Sequence, residues 1–192
     1  MQRTLIRTVA AALGATTEKR DPYTAGHQRH VATIAAAIAT EIGCDDKAVE
    51  EIEIAASIHD IGKVAIPAEI LTRPGRLDPI ETALLRGHAQ IGYDILKSVG
   101  FDGPVPQMIL QHHERLDGSG YPNQLHGDEI MLGARVIAVA EVVEAIASAR
   151  PYRAALGITA ALDELKAGRG VRFDARAVDA CVNLFQQGRL HV

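Results

Sequence analysis

Histidines recur on the apolar faces of otherwise ordinary amphipathic segments, and this pattern restricts the fold more than any other feature of the chain. In GHQRHVATIAAAIATEIG, His27, Val31, Ile34 and Ile38 fall on one helical face, and Gly43 suits the stop. Residues 46 to 61 repeat the pattern, with Ile52, Ala55, Ala56 and His59 on one side and Gly62 beyond the end. In TRPGRLDPIE a Pro-Gly turn precedes Asp78 as N-cap, Pro79 at the first helical position and Glu81 at the third. The helix starting there carries Leu84, His88, Ile91, Ile95 and Val99 along one face. Pro104 and Pro106 open a shorter helix, VPQMILQHHERL, in which Met108, Ile109 and His112 share a side. After a DGSGYP loop, LGARVIAVAEVVEAIASA aligns Ala134, Ile137, Ala138, Glu141 and Ala145. Helices are also expected over residues 3 to 17 and, after a GRGVRFD turn, roughly 174 to 187.

No segment requires a sheet, so the expected class is all-α. A chain with 47% hydrophobic and only 4% aromatic residues, and no Trp, suits closely packed helices. At 192 residues, without repeats or a low-complexity linker, it is long enough for one well-packed domain, with residues 1–17 as an N-terminal helical arm. A net charge of −4 argues against binding a nucleic acid polymer, though a small anion answers to local charge. No apolar run approaches the ~18 residues of a membrane span, and the opening MQRTLIRTVAAALGA is a poor signal peptide. Cys44 and Cys181 are isolated, so neither a disulfide framework nor a thiolate metal site is expected. The expected location is the cytoplasm.

A buried histidine needs a hydrogen-bond partner, and a buried carboxylate needs a cation or strong donors. One such residue is ordinary. His27, His59, His88 and His112, however, each interrupt a different apolar stripe, and Asp60, His113 and Glu141 adjoin or join that set. Nitrogen and oxygen donors from several helices, without thiolates, suit divalent iron, manganese, nickel, cobalt or zinc, and a carboxylate such as Asp60 can bridge two ions. So many ligands exceed the needs of one ion. Two divalent cations, offset by Asp60, Glu141 and a bridging hydroxide, leave about one positive charge for a substrate anion, which suits phosphate-ester hydrolysis.

The stretch HDIGK, residues 59–63, resembles the signature of HD-domain metal-dependent phosphohydrolases. RDPYTAGHQRHVA, HDIGKVAIPAEIL, RPGRLDPIE, the lone His88, HHERLDGSGYP and ASARPYR occur in the order found in HD-GYP proteins. The resemblance implies an HD-domain-like helical bundle with a C-terminal HD-GYP extension over residues 18–192. It further implies a di-metal centre, with iron or manganese first among the metals, that hydrolyses cyclic di-GMP to pGpG and/or GMP through a bridging hydroxide. Carried over by position, His27, His59, Asp60, His88, His112, His113 and Glu141 are the ligands, with Asp60 bridging and acting in catalysis beside Lys63. Tyr121, Arg150 and Arg153 resemble substrate-binding positions, the arginines as a phosphate clamp. Implied partners are cyclic di-GMP, a GGDEF diguanylate cyclase or an upstream sensor or receiver domain, and a second copy in a homodimer. The alternative is a catalytically weak or inactive HD-GYP domain serving as a cyclic di-GMP receptor or protein-interaction module.

The chain departs from the family pattern at four positions. Glu141 and Glu144 stand where aspartate is common, Tyr23 stands where tri-metal members resemble one another in having glutamate, and Gln124 replaces a common glycine. Tyr23 favours two metals over three. His30, His126 and His191 fall outside the matched positions and are expected to be ordinary solvated or locally hydrogen-bonded residues. Glu114 is a candidate to orient a ligand histidine, and Asp117 to shape the loop.

Overall fold

Small side chains on α8 (Leu132–Ala147) let other helices pack close to it from several directions. Gly133, Ala134, Val136, Ile137, Ala138, Val139, Ala140 and Val143 are all buried, so this helix is apolar nearly all round and forms the centre of the bundle. Against it pack α2 (His27–Glu41), α3 (Asp46–Ser57), α7 (Val105–Gln111), α9 (Gly157–Gly168) and α10 (Ala175–Gln186). Each fully buried valine or isoleucine in this core contributes about 1.5–3 kcal/mol. The remaining elements are α1 (Gln2–Arg20), a 3-10 helix at Ile61–Ala65, α4 (Ala68–Leu71), α5 (Pro79–Arg86), α6 (His88–Ser98) and a 3-10 turn at Gly127–Glu129. The computed structural model describes residues 2–20, 26–98, 103–148 and 155–190. Among the described residues there is no strand, only isolated bridges pairing Asp117 with His126 and Arg169 with Phe173. The class is all-α, as composition and periodicity indicate. No helix among these residues is long and apolar enough to cross a membrane.

Local signals in the sequence act where expected. Asp78 Oδ1 accepts from Glu81 N at 2.8 Å while Glu81 Oε2 accepts from Asp78 N at 3.0 Å, completing the capping box encoded by DPIE. Asp174, not singled out from the sequence, also caps α10 through the amides of Arg176 and Ala177. The stripe of α2 is buried as drawn, with Val31, Ile34 and Ile38 in the core. α1 packs on α2, α3 and the first 3-10 helix, with Ala10 in the core.

Three expected helices differ from those of the structure. α3 ends at Ser57 rather than running to residue 61, α7 ends at Gln111, and the helix expected from Asp78 through Val99 is two helices meeting at Gly87. Leu84 therefore does not share a buried face with His88. It is 50% exposed, because α5 buries no residue and meets a satellite cluster of Ile66, Ile70 and Leu71 through Leu85. α9 has no counterpart in the sequence reading, although Ala161, Leu162 and Leu165 repeat at helical spacing and are buried on α8.

Candidate metal centre

Three histidines close helices here. His59 Nδ1 donates to Ala56 O at 2.8 Å, His88 Nδ1 to Leu85 O at 2.7 Å, and His112 Nδ1 to Ile109 O at 2.6 Å. Each ring takes one of the carbonyls that a helix end leaves unpaired, at the ends of α3, α5 and α7. A carbonyl only accepts, so the ring proton lies on Nδ1 and the Nε2 of the neutral imidazole is a bare acceptor. His27, the first residue of α2, is held differently. Its Nδ1 donates to Glu144 Oε2, a buried carboxylate from α8.

The bare nitrogens converge on one point of the bundle. His27, His59 and Asp60 offer ligand atoms within 4.8 Å of one another, and so do His88, His112 and His113. Asp60 joins the two groups, with Oδ2 3.5 Å from His59 Nε2 and Oδ1 3.4 Å from His88 Nε2. His88 Nε2 and His112 Nε2 lie 3.4 Å apart. With both protons committed to carbonyls on the far sides of the rings, that contact sets lone pair against lone pair. His59 Nε2 and Glu141 Oε2 are buried without any hydrogen bond, and Glu141 Oε2 lies 3.5 Å from His113 Nδ1. Opposed, buried acceptors are costly unless a cation sits among them. The nitrogen and oxygen donor set is that of divalent transition ions, and its division into two groups sharing a carboxylate fits a pair of them.

The electrostatics point the same way. Burial lowers the imidazole pKa values of His88, His112 and His113; neighbouring histidines depress His112 and His113 further, whereas Asp60 partly restores His88. Burial alone would raise the Asp60 carboxyl, but Lys63 and the surrounding histidines outweigh it and hold Asp60 well below the usual carboxylate range. Glu141 is likewise held low, as His112 and His59 overcome its burial. Neutral imidazoles and ionised carboxylates are the states that metal ligation requires. Lys63 Nζ sits 2.8 Å from Asp60 Oδ2.

The DGSGYP loop forms one rim. Tyr121 stacks on His113 with centroids 4.5 Å apart and planes at 28°. Asp117 accepts from Ser119 N and Oγ, shaping the turn as its type suggests. Glu114 does not orient a histidine; its buried carboxylate accepts from Asn123 N at 2.7 Å and Leu125 N at 3.1 Å, tying down the far side of the loop. Gly120 is required by close approach, since a Cβ there would lie 2.4 Å from Glu114 Cα and 2.5 Å from His113 O. Arg150, Arg153, Tyr23 and His191 lie outside the described residues.

Sequence reasoning missed the groups that hold these ligands in place. Glu144 was visible only as a departure from aspartate, although its i, i+3 spacing from Glu141 puts both carboxylates on one side of α8. The last turn of α1 supplies two more. Glu18 accepts from Gly26 N and Gln28 N, each at 2.9 Å, bracketing His27 at the start of α2. Arg20 donates to the carbonyls of Val64 and Ile66, just after Lys63. The run TTEKRD carried no signal for either contact, because both join segments distant in sequence.

A family model described as an HD domain matches residues 9–177. The cyclic di-GMP phosphodiesterase response regulator RpfG of Xanthomonas campestris pv. campestris is 42% identical over 176 residues, covering 91% of this chain and 47% of that protein. The chain belongs to the HD-domain family, in its HD-GYP branch. A second relative of this HD-GYP domain, the 3'3'-cGAMP-specific phosphodiesterase 3 of Vibrio cholerae serotype O1, is 38% identical over 154 residues, covering 80% of this chain and 34% of that protein. The chain thus spans half or less of the length of these curated relatives. Among solved structures, Bd1817, an HD-GYP-type protein from Bdellovibrio bacteriovorus, superposes with a TM-score of 0.68 over 83% of this chain and 51% of that one. At 20% identity that likeness speaks for the HD-GYP fold alone.

Proposed function

We propose that this HD-GYP domain is a metal-dependent phosphodiesterase that opens cyclic di-GMP to pGpG and/or GMP. The observation that carries the reading is the opposition of bare, buried acceptors across Asp60, with one carboxylate oxygen facing each histidine group. In this reading His27, His59 and Asp60 hold one ion, and Asp60, His88, His112 and His113 hold the other, with Glu141 completing the site beside His113. Iron or manganese is the first choice, then nickel, cobalt or zinc. When bound, such a pair lowers the pKa of a water toward ~7 and offsets charge on both the attacking and the leaving oxygen. The protein's own part is placement. The carbonyl-tethered histidines cannot rotate away, Lys63 adds positive charge beside Asp60 for the phosphate, and Tyr121 stands at the rim as a base- or phosphate-contacting group. Arg150 and Arg153 are proposed to clamp phosphate from the segment after α8.

Glu141 bears on the alternative, a receptor that binds cyclic di-GMP without turnover. Its Oε2 reaches the cluster and is buried there without a hydrogen bond, which favours a working ligand over a lost one. The likeness to an enzyme named for 3'3'-cGAMP supports a second substrate reading, with adenine in place of one guanine. The free cysteines fit a cytoplasmic setting, and a GGDEF cyclase, a sensor or receiver domain, or a second copy are the proposed partners. The deciding experiment is anaerobic purification, elemental analysis and chromatography of cyclic di-GMP and 3'3'-cGAMP digests. About two transition ions per chain and the appearance of a linear dinucleotide or mononucleotide are expected. Lack of turnover with iron, manganese, nickel and cobalt alike rejects the enzyme, and tight nucleotide binding in that case selects the receptor.

A further inference from the structure

Tyr121 has a second planar neighbour. Arg86, the last residue of α5, holds its guanidinium 5.0 Å from the centroid of the Tyr121 ring, the ring that also stacks on His113. Arg86 is exposed and has no carboxylate within ion-pair distance among the described residues, whereas Arg73, Arg135, Arg169, Arg172 and Arg189 each face one. Arg115, the other guanidinium close to this rim, is engaged by the carbonyls of His112 and Glu114. A guanidinium lying on an aromatic face is held in plane while its N–H edge stays open to a ligand. Arg86 is therefore a cation over the aromatic wall of the site, two residues before His88, with no carboxylate partner among the described residues.

We infer that Arg86 binds the phosphate of a cyclic dinucleotide that is not being cleaved, an assignment that rests on the phosphodiesterase reading above. Such a substrate carries two phosphodiesters, and only one can sit over Asp60 and Lys63 at a time. The other then lies toward the rim, where Arg86 stands over Tyr121, and a planar fork suits two phosphate oxygens at once. A purely structural role is the competing account, since a basic residue in the last turn of a helix also favours the helix dipole. That role affects stability and leaves substrate binding alone.

The test compares the metal-loaded chain with Arg86→Ala and Arg86→Lys, following cyclic di-GMP binding by calorimetry and its hydrolysis by chromatography. Loss of a charge-assisted hydrogen bond is expected to raise Kd and KM for cyclic di-GMP roughly tenfold or more in Arg86→Ala, with the change falling on KM more than kcat. Arg86→Lys should recover part of the loss, because charge remains while the flat fork is gone. Hydrolysis of bis(p-nitrophenyl) phosphate, which has a single phosphodiester, should fall by less. Equal losses on the two substrates, or a Kd for Arg86→Ala within about twofold of the parent, overturn the inference. A parent protein that neither binds nor cleaves cyclic di-GMP overturns the functional reading and this inference together, whereas parent binding with an unshifted variant overturns the inference alone.

Discussion

Glu144 takes the Nδ1 proton of His27 as main-chain carbonyls take those of His59, His88 and His112. All four rings thus have their orientation and tautomer set by the group behind them. Of the four, only His27 relies on a side chain for this, which makes it the ring most open to mutation. Glu144→Ala should weaken metal binding about 10–100-fold while leaving the helices intact, read by chelator competition alongside circular dichroism. Unchanged affinity would mean that the carboxylate merely satisfies a buried ring. The sequence exposed the imidazoles because histidine on an apolar stripe is conspicuous. It hid Glu144, because another glutamate on a helix looks like an ordinary solvated charge.

The relevant elements are helix ends. α3, α5 and α7 stop within a residue or two of a site histidine, and the imidazole bonds the carbonyl that a continuing helix would have used. Periodicity therefore picked residues that the fold brings together, from helices drawn too long. The site is also braced from outside the bundle centre, by Glu18 and Arg20 at the end of α1 and by Glu114 beneath the Tyr121 loop. The loop lies close against backbone, since a Cβ on Gly120 would come within 2.5 Å of Arg115 N. Gly120→Ala should force it off the Glu114–Arg115 backbone, costing about 1–3 kcal/mol of stability, visible as a lower urea midpoint. It should also raise KM by displacing Tyr121 from His113. A variant with parent stability would show that the loop can shift as a unit.

For the whole molecule, the depressed imidazoles fix the sign of the pH response. His88, His112 and His113 stay neutral in the fold, whereas the unfolded chain takes up protons as pH falls through 6.5. The unfolded state then binds more protons, so the metal-free protein should lose stability from about that pH downward. The ionised Asp60 adds a further loss in the acid range, where the unfolded chain protonates first. Denaturant midpoints of chelator-treated protein at pH 8 and pH 5.5 check this, and a flat profile would contradict neutral buried histidines. Metal at a hundredfold excess over its Kd should raise stability by about 2.7 kcal/mol at the higher pH. The all-α class, the capping box at Asp78 and the set of residues able to hold metal were legible in the chain itself, because side-chain type, spacing and capping are local properties. Which nitrogen of each ring is bare, how Asp60 divides its oxygens between two groups, and that Glu18, Arg20 and Glu144 brace the site were decided only when distant segments packed. A hydrogen bond across the fold leaves no periodic trace in the sequence that makes it.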